Sequence, residues 1–474
     1  MKIKLFLLPC LLLLFSCTKQ AEVALEGINI NKSSLIIGVG GEEALQIFAY
    51  PEGAYDYEII WKSSDESIAT VSNGVVYGIN KGQVQIVAST VDSKFNASST
   101  VTVVDIEFYK ETISILEGNV LNIDFSADPA IIGDIEWSSS DSSIAAVTNG
   151  EIRGIAEGTA IIYAKYKNIN RSCIVKVESL EPKKGDIYTV RNLDGVSSVW
   201  KNDNMLYKLS ENEYMSIARQ ITVIGNDVYA IGEIRNEEDI ISRPCIWKNG
   251  EPIKLFEDRA TYVTSMAFNG DDIYVAGATT ESTVIWKNGK QLLEFPDKSG
   301  KGIIIIDNND IYLSTGKSVT VQTSSNSSHG FWVGVVYKND QLLYQLTEST
   351  ASQIESMYLY NGDIYTCGCS ENYAKVWVNG KPIDTNNIMG MFSSIFVSEN
   401  KIYALYDDLV SGSFTPMLFC DGNSIKLNKE YGGAMNIVVK DGNEYICCER
   451  AVLKNRSIVV SRTGYEVIYS MFVI

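Results

Sequence analysis

The phrase Asp272-Ile-Tyr-Val-Ala-Gly, followed after a polar turn by Thr283-Val-Ile-Trp-Lys-Asn-Gly, recurs throughout the C-terminal part of the chain. Its first half returns at Ile187-Tyr188, Val228-Tyr229, Ile273-Tyr274, Ile311-Tyr312, Ile364-Tyr365, Ile402-Tyr403 and, weaker, Glu444-Tyr445. Its second half is anchored at Trp200, Trp247, Trp286, Tyr337, Trp377 and Phe419, and decays to Ser461. Each copy reads as four strands: an apolar run before an Asn/Asp-Gly turn, the Ile-Tyr strand, the Trp-Lys-Asn strand and a short fourth piece. A four-stranded unit repeated every ~40–45 residues is the sequence signature of a β-propeller blade. A solenoid is the competing repeat architecture, but the helical periodicity of its common forms is missing.

The two ends of the repeat region sharpen the choice. The first copy begins at Asp186-Ile187-Tyr188 and lacks its first strand, whereas the last runs on into Ser470-Met471-Phe472-Val473. That final stretch resembles the first strands at Ser265-Met266 and Ser356-Met357. The C-terminus is therefore predicted to complete the first blade, which pairs both open edges of a ring. Residues 186–474 are expected to form a seven-bladed β-propeller closed by the C-terminal strand.

The N-terminal third carries a different repeat. Trp61-Lys-Ser-Ser-Asp-Glu-Ser-Ile-Ala-Thr-Val-Ser-Asn-Gly and Trp137-Ser-Ser-Ser-Asp-Ser-Ser-Ile-Ala-Ala-Val-Thr-Asn-Gly align without a gap. Each copy has a Trp-bearing strand, a polar turn, a short apolar strand (Ile68 to Val71; Ile144 to Val147) and an Asn-Gly hairpin turn. Short strands with turns every ~8–12 residues read as a β-sandwich. The string resembles the bacterial immunoglobulin-like group 2 domain, the module of intimin- and invasin-type adhesins, over residues 24–104 and 105–178. The resemblance implies a stalk or spacer, in some members an adhesive tip, with Trp61 and Trp137 as core residues. The fold class expected for the whole is all-β: two immunoglobulin-like β-sandwiches in tandem, then the propeller. That order resembles Gram-negative surface lipoproteins that carry degenerate propellers on immunoglobulin-like stalks.

The N-terminus has Lys2 and Lys4 before an apolar stretch from Leu5 to Phe15, too short to span a bilayer of ~30 Å and suited to export. It ends in Leu14-Phe15-Ser16-Cys17, which resembles the bacterial lipobox. The resemblance implies removal of the preceding peptide and acylation of Cys17, with a lipid anchor in the outer membrane as a partner. Both a cell-surface and a periplasmic face are compatible with it.

A net charge of −18, without a basic patch, excludes nucleic acid as a partner. The remaining cysteines, Cys173, Cys245, Cys367, Cys369, Cys420, Cys447 and Cys448, are scattered and predict buried thiols rather than a disulfide framework. No cofactor or metal is expected. A single histidine, His329, excludes most histidine-based catalytic constellations, so the chain is predicted not to be an enzyme.

Three segments between second and third strands are lengthened: 233–244, 315–334 and 406–416. In an up-and-down blade these loops share one rim with the blade-to-blade connections. Binding residues concentrate on loops held by a rigid scaffold, so that rim is the candidate site, with His329, Phe331 and Trp332 singled out. The expected ligand is a glycan or an envelope protein. A scaffold subunit of an envelope assembly and, less favoured, a polysaccharide-acting enzyme are the alternatives.

Overall fold

The computed structural model describes residues 23–54, 57–210, 214–236, 243–253, 262–296, 302–324, 327–347, 350–408, 415–461 and 465–474. Cys17 and the export segment lie outside the described residues. Among the described residues the regular structure is strand, with two 3-10 turns at Ile132–Asp134 and Lys429–Tyr431, and no helix is long and apolar enough to cross a membrane. The chain divides into two compact units, at 1–180 and 181–474.

The first unit contains two copies of one topology. In the first copy Ser34–Gly38 pairs in parallel with Asn96–Val104, which continues antiparallel to Gly82–Thr90 and on to Ile59–Ser63. Facing it is the sheet of Glu42–Ala44, Val75–Gly78 and Ala69–Ser72. The second copy repeats this with Thr112–Leu116, Ile169–Glu178, Gly158–Tyr166 and Glu136–Ser139 against Val120–Asn122, Glu151–Gly154 and Ala145–Thr148. The parallel first strand was not legible in the sequence. Trp61 and Trp137 pack against the two cores as expected, Trp137 edge-on to Phe125 at 5.2 Å. The polar turn is an Asx turn in both copies: Asp65 Oδ1 accepts from Ser67 N at 2.9 Å, and Asp141 Oδ1 from Ser143 N at 2.9 Å. Between the copies, Asn168 Nδ2 donates to Val39 O at 2.9 Å and Lys167 Nζ to Ile36 O at 2.6 Å.

The second unit consists, among the described residues, of seven four-stranded antiparallel sheets. Their innermost strands are Val467–Val473, Tyr214–Ile224, Tyr262–Asn269, Ile303–Asp307, Ser352–Tyr360, Phe392–Ser398 and Ala434–Lys440. Each touches the next and the last touches the first, so the sheets form a closed ring. The C-terminal strand pairs with Ile187–Leu193 in the register Tyr188↔Phe472 and Thr189↔Met471, completing the first sheet as the chain ends predict. Because both faces of each sheet are covered, the second strands read as near-continuous apolar runs rather than alternating ones. Tyr274 and Ala276 face the following sheet with Ile304 and Leu313, while Val275 faces the preceding one with Ile231 and Ile246. One apolar core lies in each of the seven seams, including the closing seam of Tyr445, Cys447 and Val452 against Ile468, Met471 and Val473.

Polar ties link neighbouring innermost strands. Gln220 exchanges two hydrogen bonds with Met266 N and O. Ser265, Ser356 and Ser394 Oγ accept from Ile304, Ile395 and Ile437 N, and Asn436 Nδ2 donates to Met471 O at 3.1 Å across the closing seam. The residue before each of these positions is bulged out of register with the second strand. The recurrent glycine of the second strand sits opposite that bulge: a Cβ on Gly277 would stand 2.3 Å from Tyr262 O, and the equivalents at Gly232 and Gly368 1.9 Å from a carbonyl oxygen.

In the seventh sheet the third strand is Ala451–Lys454, and Leu453 pairs with Ile446. The second-half anchor of that copy is therefore Leu453-Lys454-Asn455 rather than Ser461, which ends the fourth strand, Ser457–Ser461. The aromatic is replaced there by Leu, and the Lys-Asn pair is what persists. Cys367 and Cys447 are fully enclosed between sheets as small packing residues, as expected, and no disulfide links the described cysteines.

Candidate functional site

The strand order gives the ring two unlike rims. One carries the turns joining first to second and third to fourth strands. The other carries the turns joining second to third strands and the connections between sheets.

On the first rim the repeated phrase builds one device many times. In the third sheet Asn288 adopts a left-handed φ of 49°, accepts from Ile273 N at 2.8 Å and donates to Asp272 Oδ1 at 2.7 Å. Lys287 Nζ meets Asp272 Oδ2 at 2.7 Å and lies 5.2 Å from the Tyr274 ring centroid. The second and fourth sheets repeat this with Asp227, Lys248 and Asn249 and with Asp310, Lys338 and Asn339; the first does so with Asp186, Lys201 and Asn202. The lysine first, then the asparagine, holds Asp227, Asp272 and Asp310 below the ordinary carboxylate value. This explains why Asp, Tyr, Lys and Asn recur together: the rim neutralises its own charge and locks its own turns. Sequence reading saw only turn composition there.

The second rim is irregular. Exposed Leu193, Met215, Trp332, Tyr373, Met389, Met391 and Tyr465 all lie on it, whereas the first-to-second-strand ends of the first rim expose only Ile224 among the described large apolar side chains. The others of this unit that are exposed (Met205, Leu292, Leu342, Leu343, Ile458, Val459) follow the outer strand edges.

The long hairpin of the fourth sheet, Asp310–Ser324 with Ser327–Lys338, rises on this rim and holds the residues singled out from the sequence. The strand pleat separates them. Phe331 is half-buried and packs with Val319 on the core shared by the third and fourth sheets. Trp332, its neighbour, points to the opposite face and is 44% exposed. His329 pairs through its backbone with Val321, and its side chain lies outside the described residues. One ligand surface cannot use Phe331 and Trp332 together. The insertions at 233–244 and 406–416 are described only at their ends.

A cluster that sequence reading missed lies over the fifth, sixth and seventh sheets. Tyr373, at the start of the third strand of the fifth sheet, bridges Met389 in the connection to the sixth. That connection is pinned: Thr385 Oγ1 donates to Ala374 O at 2.7 Å, Ala374 N to Ile388 O at 2.8 Å, and Gly390 N to Asn372 O at 2.8 Å. Met389 is nevertheless 75% exposed. Near it, Asp407 is the penultimate residue of the second strand of the sixth sheet, Lys401–Asp408, and accepts from Ala434 N at 3.0 Å. Glu449 stands at the corresponding place after the seventh sheet's second strand. A Cβ on Gly433 would lie 3.3 Å from Asp407 Oδ2 and 3.2 Å from Glu449 Oε1, so the Gly432-Gly433 connection has to be bare to pass both carboxylates. Burial, with Glu449 adding to it, raises the Asp407 carboxyl above its ordinary value against the pull of the Ala434 bond. Among the described residues neither carboxylate forms an ion pair. The only signal in the sequence was an acidic residue four places after Tyr403 and Tyr445, where Tyr274 has Ala278 and Tyr312 has Gly316.

The chain is similar to several known proteins. An uncharacterized protein of Clostridium acetobutylicum is 24% identical over 245 residues, a match that takes in 49% of this chain and 25% of that protein, so the chain spans about a quarter of that relative's length. Among solved structures, a quinonprotein alcohol dehydrogenase-like protein from Bacteroides thetaiotaomicron is 11% identical, with 77% of this chain and 97% of that one covered and a TM-score of 0.33. The β-propeller domain of the Trilobed protease from Pyrococcus furiosus is 14% identical, with 66% and 93% covered and a TM-score of 0.34. Domains 4 and 5 of the S-layer protein SbsC are 15% identical, with 33% and 99% covered and a TM-score of 0.15. Within the first unit, residues 24–103 match the family model of the bacterial Ig-like domain (group 2).

Proposed function

We propose that the chain is a binding or adhesion protein of the bacterial envelope, without catalytic activity, that engages a glycan or protein through the irregular rim of its propeller. In this reading the immunoglobulin-like copies are a spacer, and acylated Cys17 ties the chain to the outer membrane. The observation that carries it is the difference between the rims: one neutralises its charge and repeats its turns, while the other gathers exposed Met, Tyr and Trp side chains and, in Asp407 and Glu449, two carboxylates without ion pairs among the described residues. Aromatic residues and methionine are enriched at the centres of recognition surfaces.

The test is binding of the soluble chain, Thr18 to Ile474, to a glycan array and to envelope proteins. Trp332→Ala and Met389→Ala are compared with Ile224→Ala on the opposite rim. Loss of binding in the first two with Ile224→Ala unaffected supports the reading, and loss only in Ile224→Ala refutes it. The approach of Asp407 to Glu449 favours one second reading, a polysaccharide-cleaving propeller, because paired carboxylates are the usual machinery of glycoside hydrolysis. Release of reducing ends from a bound polysaccharide, abolished by Glu449→Gln, would establish it.

A further inference from the structure

The cluster over the fifth, sixth and seventh sheets has the chemistry to select a class of ligand. Tyr373, Met389 and Met391 present apolar area at 40, 75 and 37% exposure, and the hydrogen bonds of the 383–391 connection hold that area in place before any ligand arrives. The position a Cβ would take on Gly390 is 3.7 Å from Asp407 O, so the methionine segment abuts the strand that carries the carboxylate. Asp407 and Glu449 then meet at Gly433 with no cation of the chain paired to either among the described residues.

We propose that this part of the rim docks an extended protein segment presenting a lysine or arginine beside an apolar side chain. The cation meets Asp407 and Glu449, and the apolar neighbour packs on Tyr373, Met389 and Met391. Three physical arguments select this occupant. A half-buried carboxylate pair without a counterion is stabilised by an incoming cation and repels an acidic ligand. Methionine offers a soft, adaptable apolar contact suited to side chains of varied shape. Sugar rings, by contrast, carry no cation to compensate the pair. This inference rests on the rim-binding reading and names the ligand class for it.

The experiment uses the soluble chain with its methionines labelled at the 13C-methyl group. The signals of Met389, Met391 and Met205 are assigned by Met→Leu substitution. Three synthetic pentapeptides are titrated to millimolar concentration: Gly-Leu-Lys-Phe-Gly, the same with Glu for Lys, and the same with Ser for Leu and Phe. A hexamer of N-acetylglucosamine forms the fourth arm. The expected result is that the lysine peptide shifts Met389 and Met391 but not Met205, at least tenfold more tightly than the other three. The double variant Asp407→Asn/Glu449→Gln should lose that preference of Lys over Glu with no fall in its melting temperature. No shift with the lysine peptide, equal shifts with the Glu peptide, or shifts of Met389 and Met391 by the sugar alone would each overturn the proposal. If Met389→Ala still abolishes binding on the arrays while the peptides leave Met389 unmoved, the ligand class is refuted and the rim-binding reading stands. If both fail, the reading falls with it.

Discussion

Removing the C-terminal strand, residues 467–474, should unfold the second unit and leave the first intact. Within that strand Ile468, Met471 and Val473 are 0, 3 and 3% exposed. At about 1.5–3 kcal/mol for each fully buried side chain, their burial contributes about 5–9 kcal/mol. A domain holds only about 5–15 kcal/mol of net stability. The deletion also strips the ladder partner of Ile187–Leu193 and the hydrogen bond from Asn436 to Met471 O, leaving an open strand edge at the first sheet. Differential scanning calorimetry of the full chain should show separate transitions for the two compact units, with the propeller transition lost on truncation. The milder Met471→Ala should lower that transition by about 2–5 kcal/mol and leave the other unmoved. A truncated chain that keeps the propeller transition at its original temperature would refute closure through this strand.

Other consequences follow from single residues. Gly277→Ala should destabilise the propeller by several times the ~1 kcal/mol of an ordinary Gly-to-Ala exchange, because its Cβ would overlap Tyr262 O, while Gly270→Ala, with open space around it, should show only the strain of its positive φ; chemical denaturation compares the two. Arg191 is fully buried, its guanidinium 4.2 Å from the Trp200 ring centroid and bonded to Thr189 and Asp203. Arg191→Ala should cost about 2–5 kcal/mol through the cavity it leaves, since Asp203 stays half exposed, and Arg191→Met much less, since the latter refills the volume without a buried charge. Asp407 has its carboxyl raised in the folded state, so its contribution to stability is present at low pH and lost as pH rises through the folded value. Asp407→Asn should therefore raise the melting temperature at pH 7, with the gain vanishing as pH falls into the carboxylate range. Asp272→Asn should show the opposite sign: its carboxyl is lowered by Lys287 and Asn288, so the native residue stabilises at neutral pH and the difference disappears in acid.

The architecture was legible because it rests on patterns that local chemistry imposes. Asn-Gly turns need left-handed backbone, as at Asn73 and Asn149, and those turns fixed the strand spacing of both sandwich copies. The closing strand was legible because Ser470-Met471 repeats the first-strand pattern of other sheets. What failed was whatever depends on side-chain direction or on partners distant in sequence. The seventh anchor is misplaced in the sequence because the aromatic is absent there, when the repeated physical task belongs to Lys454 and to Asn455, whose Oδ1 accepts from Glu444 N. Phe331 and Trp332 were grouped because they are adjacent, although adjacency in a strand places them on opposite faces. Met389 gave no signal, since its exposure is decided by hydrogen bonds of Ala374 and Thr385 that no periodicity records.

The central claim is that the propeller binds through its irregular rim. Hydrogen exchange of the soluble chain, free and saturated with whatever glycan or envelope protein it binds, tests this directly. The account predicts slowed exchange in 192–195, 372–391 and 431–435, with the turns at 225–227, 270–272 and 361–363 unchanged. Protection confined to those turns, or to the immunoglobulin-like copies, would contradict it.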